Sequence, residues 1–97
     1  MNYSPWKSLR SHEHRAVVTV ITATRREAGF TQDRLSAELQ WCRSRLAKIE
    51  SYERRVDVPE LIFISRALGI DPCEVLRRIL SWTPPAPAAD ALAREIP

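Results

Sequence analysis

Arg43, Ser44, Arg45 and Lys48 crowd into six residues, and wound onto a helix they point outward while Leu46 and Ile49 turn to the opposite side. Such a front offers hydrogen-bond donors and positive charge. Arginine is suited to bidentate contact with phosphate and guanine, because its planar fork matches two neighbouring acceptors. A helix with an apolar back and a cationic front fits the major groove of a DNA duplex, which admits one α-helix and displays the O6 and N7 acceptors of guanine. The chemistry implied is recognition. No nucleophile beside a base, no paired-carboxylate spacing and no phosphate-cradling glycine loop points to catalysis.

Two short amphipathic helices joined by a tight turn would position that front. Thr31 can cap the first, with Gln32 and Asp33 in its opening turn and Leu35 and Leu39 on one face. The second runs from about Cys42 to Ser51. Upstream, a helix is expected to begin near Ser11, with Val17, Val20, Ile21, Thr24 and Ala28 at helical spacing and Gly29 as its stop. The β-branched run from Val17 to Thr22 would suit a strand by propensity, but the length of the pattern and its Arg-Arg-Glu-Ala-Gly ending favour helix. Downstream, Tyr52 to Val56 reads as a polar connector. Asp57, Pro59 and Glu60 then make a capping-box variant ahead of Leu61, Ile64, Ser65 and Leu68, with Ile62 and Phe63 alongside and Gly69 as the stop. Asp71-Pro72-Cys73-Glu74 repeats the start signal for a last helix whose Val75, Leu76, Ile79 and Leu80 pack inward or against a partner.

The 97 residues suffice for one small domain and a single core. The expected organisation is a leader over 1–10, a helical domain over 11–82 and a Pro/Ala-rich tail over 83–97, because Pro84, Pro85 and Pro87 forbid a helix beyond Trp82. Tyr3 and Trp6 could fold back from the leader onto the core. Residues 88–95 could form a short helix on contact with a partner, since isolated helices of that length are marginal in water. The net charge is only +3, but thirteen of the fifteen basic residues are arginine and many cluster between Arg25 and Arg55. Cys42 and Cys73 lack zinc-site spacing and read as free thiols. His12 and His14 lack a ligand partner and are expected at the surface. Neither a metal nor a cofactor is implied. No apolar run suggests secretion or membrane insertion, so a cytoplasmic location is expected.

Leu35, Leu46 and Ile49 at the inward positions, Arg-Arg-Glu-Ala-Gly-Phe-Thr-Gln at 25–32, Ile-Glu at 49–50, Glu-Arg-Arg at 53–55 and Arg-Ala-Leu-Gly-Ile-Asp-Pro at 66–72 resemble the Cro/C1-type (XRE-like) helix-turn-helix family of regulators. The resemblance spans roughly 17–80. It implies an all-α, five-helix, lambda-repressor-like domain that binds double-stranded DNA. It implies further that Gln32 contacts a phosphate and braces the reading helix, that Arg43, Ser44 and Lys48 touch base edges, and that Arg45 and Arg55 hold phosphates. Tyr52 and Arg54 either touch the DNA backbone or close the connector, and Arg54 is kept among the DNA-contact candidates. Arg25 and Glu50 stand where the family places a partly buried ion pair between the first and third helices. Three positions depart from the pattern. Gln40 replaces the usual turn glycine and needs a positive φ or another turn shape; Trp41 replaces valine; Cys42 replaces the Ser or Thr that caps the reading helix, a loss of ~1 kcal/mol. Trp41 is expected as core or turn filler.

The leading expectation is a dimeric repressor on a palindromic operator, because one reading helix covers only a few base pairs. Its interface is expected near Leu76, Ile79, Leu80 and Trp82. The alternative is an antitoxin-type autoregulator that grips a protein partner through the tail. A controller of a restriction–modification operon would look the same in sequence.

Overall fold

Side-chain caps open four of the five helices in the computed structural model, which describes residues 8–85. Helix α1 is His12–Glu27, α2 Gln32–Leu39, α3 Arg43–Glu50, α4 Val58–Ala67 and α5 Pro72–Ser81. Ser11 Oγ accepts the His14 N–H at 3.1 Å, Thr31 Oγ1 the Arg34 N–H at 3.0 Å, Asp57 Oδ1 the Glu60 N–H at 2.7 Å and Asp71 Oδ1 the Cys73 N–H at 3.0 Å. Each satisfies a backbone donor that the first helical turn leaves without an intrahelical partner. Among the described residues the fold is all-α, with no strand. The expectations for Tyr3, Trp6 and residues 88–95 lie outside the described residues.

The first four helices end in the same paired hydrogen bonds, the Schellman turn, with a left-handed residue just past the helix. Glycine fills that place after α1 and α4, at Gly29 (φ 79°) and Gly69 (φ 76°). Gln40 (φ 56°) and Tyr52 (φ 68°) fill it after α2 and α3. At Gln40 the Gln40 N–H reaches Ala37 O at 3.1 Å and the Trp41 N–H reaches Ser36 O at 2.9 Å. The turn thus has its regular shape despite the side chain, which leaves a local strain on the order of 1 kcal/mol.

The β-branched run of α1 is helical because α1 has neighbours on more than one side: it packs against α5 and against α3. Ala16, Val20, Val75 and Ile79 form one buried cluster, while Ile21, Leu35, Leu46 and Ile64 form the other. Val17 and Leu61 touch both and join them. Leu35, Leu46 and Ile49 are 0% exposed, and burying such a side chain stabilises by roughly 1.5–3 kcal/mol. The interior of the helix-turn-helix is therefore a tight apolar wedge.

Four expectations are corrected. The buried sector of α1 is broader than one stripe and includes Val18, which is 3% exposed. Ala28 is exposed because it is already the C-cap. His14 is buried, not solvent-facing: the connector returns over it and Tyr52 meets its ring edge-on, centroids 5.9 Å apart. Ile79 belongs to the core, and Trp82, half-buried, packs on that core with His12 5.3 Å away, so of the four expected interface residues only Leu76 and Leu80 present large exposed side chains.

Candidate nucleic-acid interface

The turn between α2 and α3 determines how the reading helix leaves the core. Gln40 reverses the chain and Trp41 then packs half-buried against the cluster of Ile21, Leu35, Leu46 and Ile64. Cys42 enters α3 with extended backbone (φ −65°, ψ 152°) but makes no side-chain cap bond. Its exposed thiol lies 3.5 Å from Ser44 Oγ. The Ser44 hydroxyl, helped by the Arg45 backbone N–H, holds that thiol below the usual cysteine range. Cys73 is also an exposed free thiol.

Arg43, Ser44 and Lys48 all emerge exposed from α3, Ser44 next to Arg43 and Lys48 about one helical turn beyond Ser44. Arg43 Nη2 donates to Asp33 Oδ2 at 3.1 Å, a solvent-exposed pair that links the front of α3 to the first turn of α2. Such an exposed pair adds little stability. It does give the guanidinium a preferred direction. Arg45 lies sideways and half-buried, its guanidinium 4.8 Å over the Trp41 ring and Nη1 3.6 Å from Glu60 Oε2. Arg54 Nη1 donates to the same Glu60 oxygen at 2.7 Å and to Arg55 O at 3.2 Å. Arg55 is exposed on the far part of the connector, where it borders a cleft of about 270 Å³ with Ser11, Glu13, His14, Val17 and Val56.

Behind this surface a buried network ties three elements together. Arg25 Nε donates to Glu50 Oε2 at 2.7 Å and Arg25 Nη2 to Glu50 Oε1 at 2.8 Å, a fork-on-fork pair with side chains 7% and 6% exposed. Arg25 Nη1 also donates to Phe30 O at 2.7 Å. Gln32 Nε2 donates to Glu50 Oε1 at 2.9 Å. The start of α2 and the end of α3 are thus bolted to the end of α1, and the angle between the two motif helices is held by hydrogen bonds as well as packing. Gln32 is half-buried in this network.

Sequence reasoning missed three participants. In sequence Asp33 is only a first-turn acid, although a carboxylate there lies within reach of Arg43 at the opening of the next helix. In sequence Glu60 is only a cap; its second oxygen serves Arg45 and Arg54. His14, expected at the surface, is buried. Its Nε2 is buried without a hydrogen-bond partner, and burial together with the positive charge of Arg55 pushes its pKa below the ordinary histidine value.

A helix-turn-helix family model matches residues 21–75, more than half of the chain and the whole of α2, α3 and α4. No curated protein matches the chain. Among the described residues no helix is long and apolar enough to cross a membrane.

Proposed function

This chain belongs to the Cro/C1-type helix-turn-helix family, a family of DNA-binding transcriptional regulators, and from that premise we propose that it is a dimeric, sequence-specific repressor of the cytoplasm. The observation that carries the reading is the exposed trio of Arg43, Ser44 and Lys48 on one short helix whose other side is sealed into the core by Leu46 and Ile49. In this reading residues 11–82 are the DNA-binding unit. Arg43 and Lys48 reach guanine acceptors in the major groove, with a good bidentate contact discriminating by ~1–3 kcal/mol. Ser44 completes the base-edge set. Arg45, Arg54 and Arg55 hold phosphates on either side, and these contacts orient the protein without reading sequence. Gln32 braces the reading helix through Glu50 and meets a phosphate at the start of α2.

Two copies acting on a palindrome would set their reading helices about one helical turn, ~34 Å, apart. Leu76 and Leu80, 46% and 76% exposed and four residues apart on α5, supply the apolar contact between copies. Selection of bound duplexes from a random pool tests the reading, because a sequence-specific dimer enriches an inverted repeat. Sedimentation of the protein with the enriched duplex then reads the copy number, and a single copy per duplex would refute the dimer.

A further inference from the structure

Glu60 is where two arginines of the proposed DNA surface converge on one negative charge. Its side chain is 8% exposed. One oxygen, Oε1, accepts the Asp57 backbone N–H at 3.0 Å and completes the capping box of α4. The other, Oε2, accepts from Arg54 Nη1 at 2.7 Å and lies 3.6 Å from Arg45 Nη1. The arginines come from different elements, α3 and the connector, and their side chains are 38% and 37% exposed. Each therefore keeps more than a third of its side chain open to solvent while the carboxylate holds its position.

A phosphate diester offers guanidinium the same partner that Glu60 does, two oxygens sharing a negative charge. In the free protein Glu60 thus cancels one of the two positive charges that this part of the surface would otherwise present. It also restrains two long side chains that lose rotamer freedom whenever they meet a fixed phosphate. Binding to arbitrary duplex is driven by neutralised phosphates and the counterions they release, so it grows with every uncompensated arginine. Base-edge contacts from Arg43, Ser44 and Lys48 do not pass through Glu60. Resting on the DNA-binding reading above, we infer that Glu60 is a specificity-determining positioning residue: it aligns Arg45 and Arg54 and curbs their attraction to duplex of any sequence.

The test compares wild type, Glu60→Gln and Glu60→Asp by fluorescence anisotropy on the selected operator and on random duplex across a salt series. Glutamine keeps an oxygen for the Asp57 N–H but removes the charge. It is expected to steepen the log–log salt slope on random duplex by about 0.9 and to raise affinity there by roughly tenfold at 0.1 M salt. Operator affinity rises less, because the released arginines must be ordered again, so the operator-to-random ratio falls. Glu60→Asp keeps the charge and retains the wild-type slope even where thermal stability drops. An unchanged or shallower slope for Glu60→Gln, or a steepened slope for Glu60→Asp, overturns the inference. Should Glu60→Gln fail to fold, the Glu60 carboxyl ¹³C resonance of the wild type decides: it shifts on adding random duplex and returns in high salt, and a resonance that stays fixed overturns the inference. Wild type that binds no duplex overturns the DNA-binding reading as well, whereas normal binding with an unmoved Glu60→Gln slope overturns this inference alone.

Discussion

Replacing Glu50 by leucine strands the Arg25 guanidinium in a pocket where its side chain is 7% exposed and only Phe30 O remains as a partner, at 2.7 Å. Removing one member of a buried ion pair leaves a desolvated charge and typically costs roughly 3–5 kcal/mol. For a domain of this size each kcal/mol lowers Tm by about 4–8 °C, so a fall on the order of 12–40 °C is expected. Arg25→Met leaves a carboxylate with Gln32 Nε2 still 2.9 Å away. A carboxylate can shed its charge by taking up a proton and a guanidinium cannot, so Arg25→Met costs the less of the two. The double replacement removes both charges and fills the space with apolar atoms, and it is expected to be closer to wild type than either single variant. Urea denaturation followed by far-ultraviolet circular dichroism on the four proteins closes the cycle. Single costs below ~1 kcal/mol, the range of exposed pairs, or two costs that simply add, would refute the reasoning. Because this pair bolts α3 to α1, the refolded double variant should also discriminate less well between operator and random duplex.

Three further outcomes follow from the geometry. Gln40→Gly removes the side chain from a left-handed residue and should raise stability by about 1 kcal/mol, read as a higher urea midpoint; a lower midpoint would show that Gln40 is not strained. Cys42→Ser supplies the missing cap of α3 and should stabilise by a further ~1 kcal/mol, measured in the same way, with no gain arguing against a cap at that site. His14 titrates below its unfolded value because burial, and then the charge of Arg55, oppose its protonation. Its contribution to stability is therefore present above about pH 6.5 and is lost as pH falls through the lower folded-state pKa. Urea midpoints across that window should fall with pH more steeply for wild type than for His14→Phe, and parallel curves would contradict the assignment.

The local signals were legible in the chain. Thr31, Asp57 and Asp71 announce their helices because capping depends on residues within one turn, and Gly29 and Gly69 end theirs for the same reason. Leu35, Leu46 and Ile49 could be assigned inward from spacing alone, and they are fully buried. What spacing could not show depends on approach between distant segments. His14 is buried because Tyr52, far along the chain, closes over it. Ile79 is buried because α5 lies against α1, and an amphipathic pattern alone does not say which of its apolar residues that packing covers. Glu60 fits its local role as a cap so well that nothing in its sequence context signals the two arginines on its other oxygen. Arg25 and Glu50 were paired through family resemblance, since no periodicity links residues in separate helices.

The central claim, that the exposed front of α3 reads base edges, is tested most directly by comparing wild type and Arg43→Ala on every single-base variant of the selected operator. Wild type should lose roughly 1–3 kcal/mol of binding at each contacted position. In Arg43→Ala that penalty should vanish at one position of each half-site and persist at the others, while affinity for random duplex changes only by the loss of one charge. Penalties that survive unchanged at every position, or fall equally at all of them, would contradict the account.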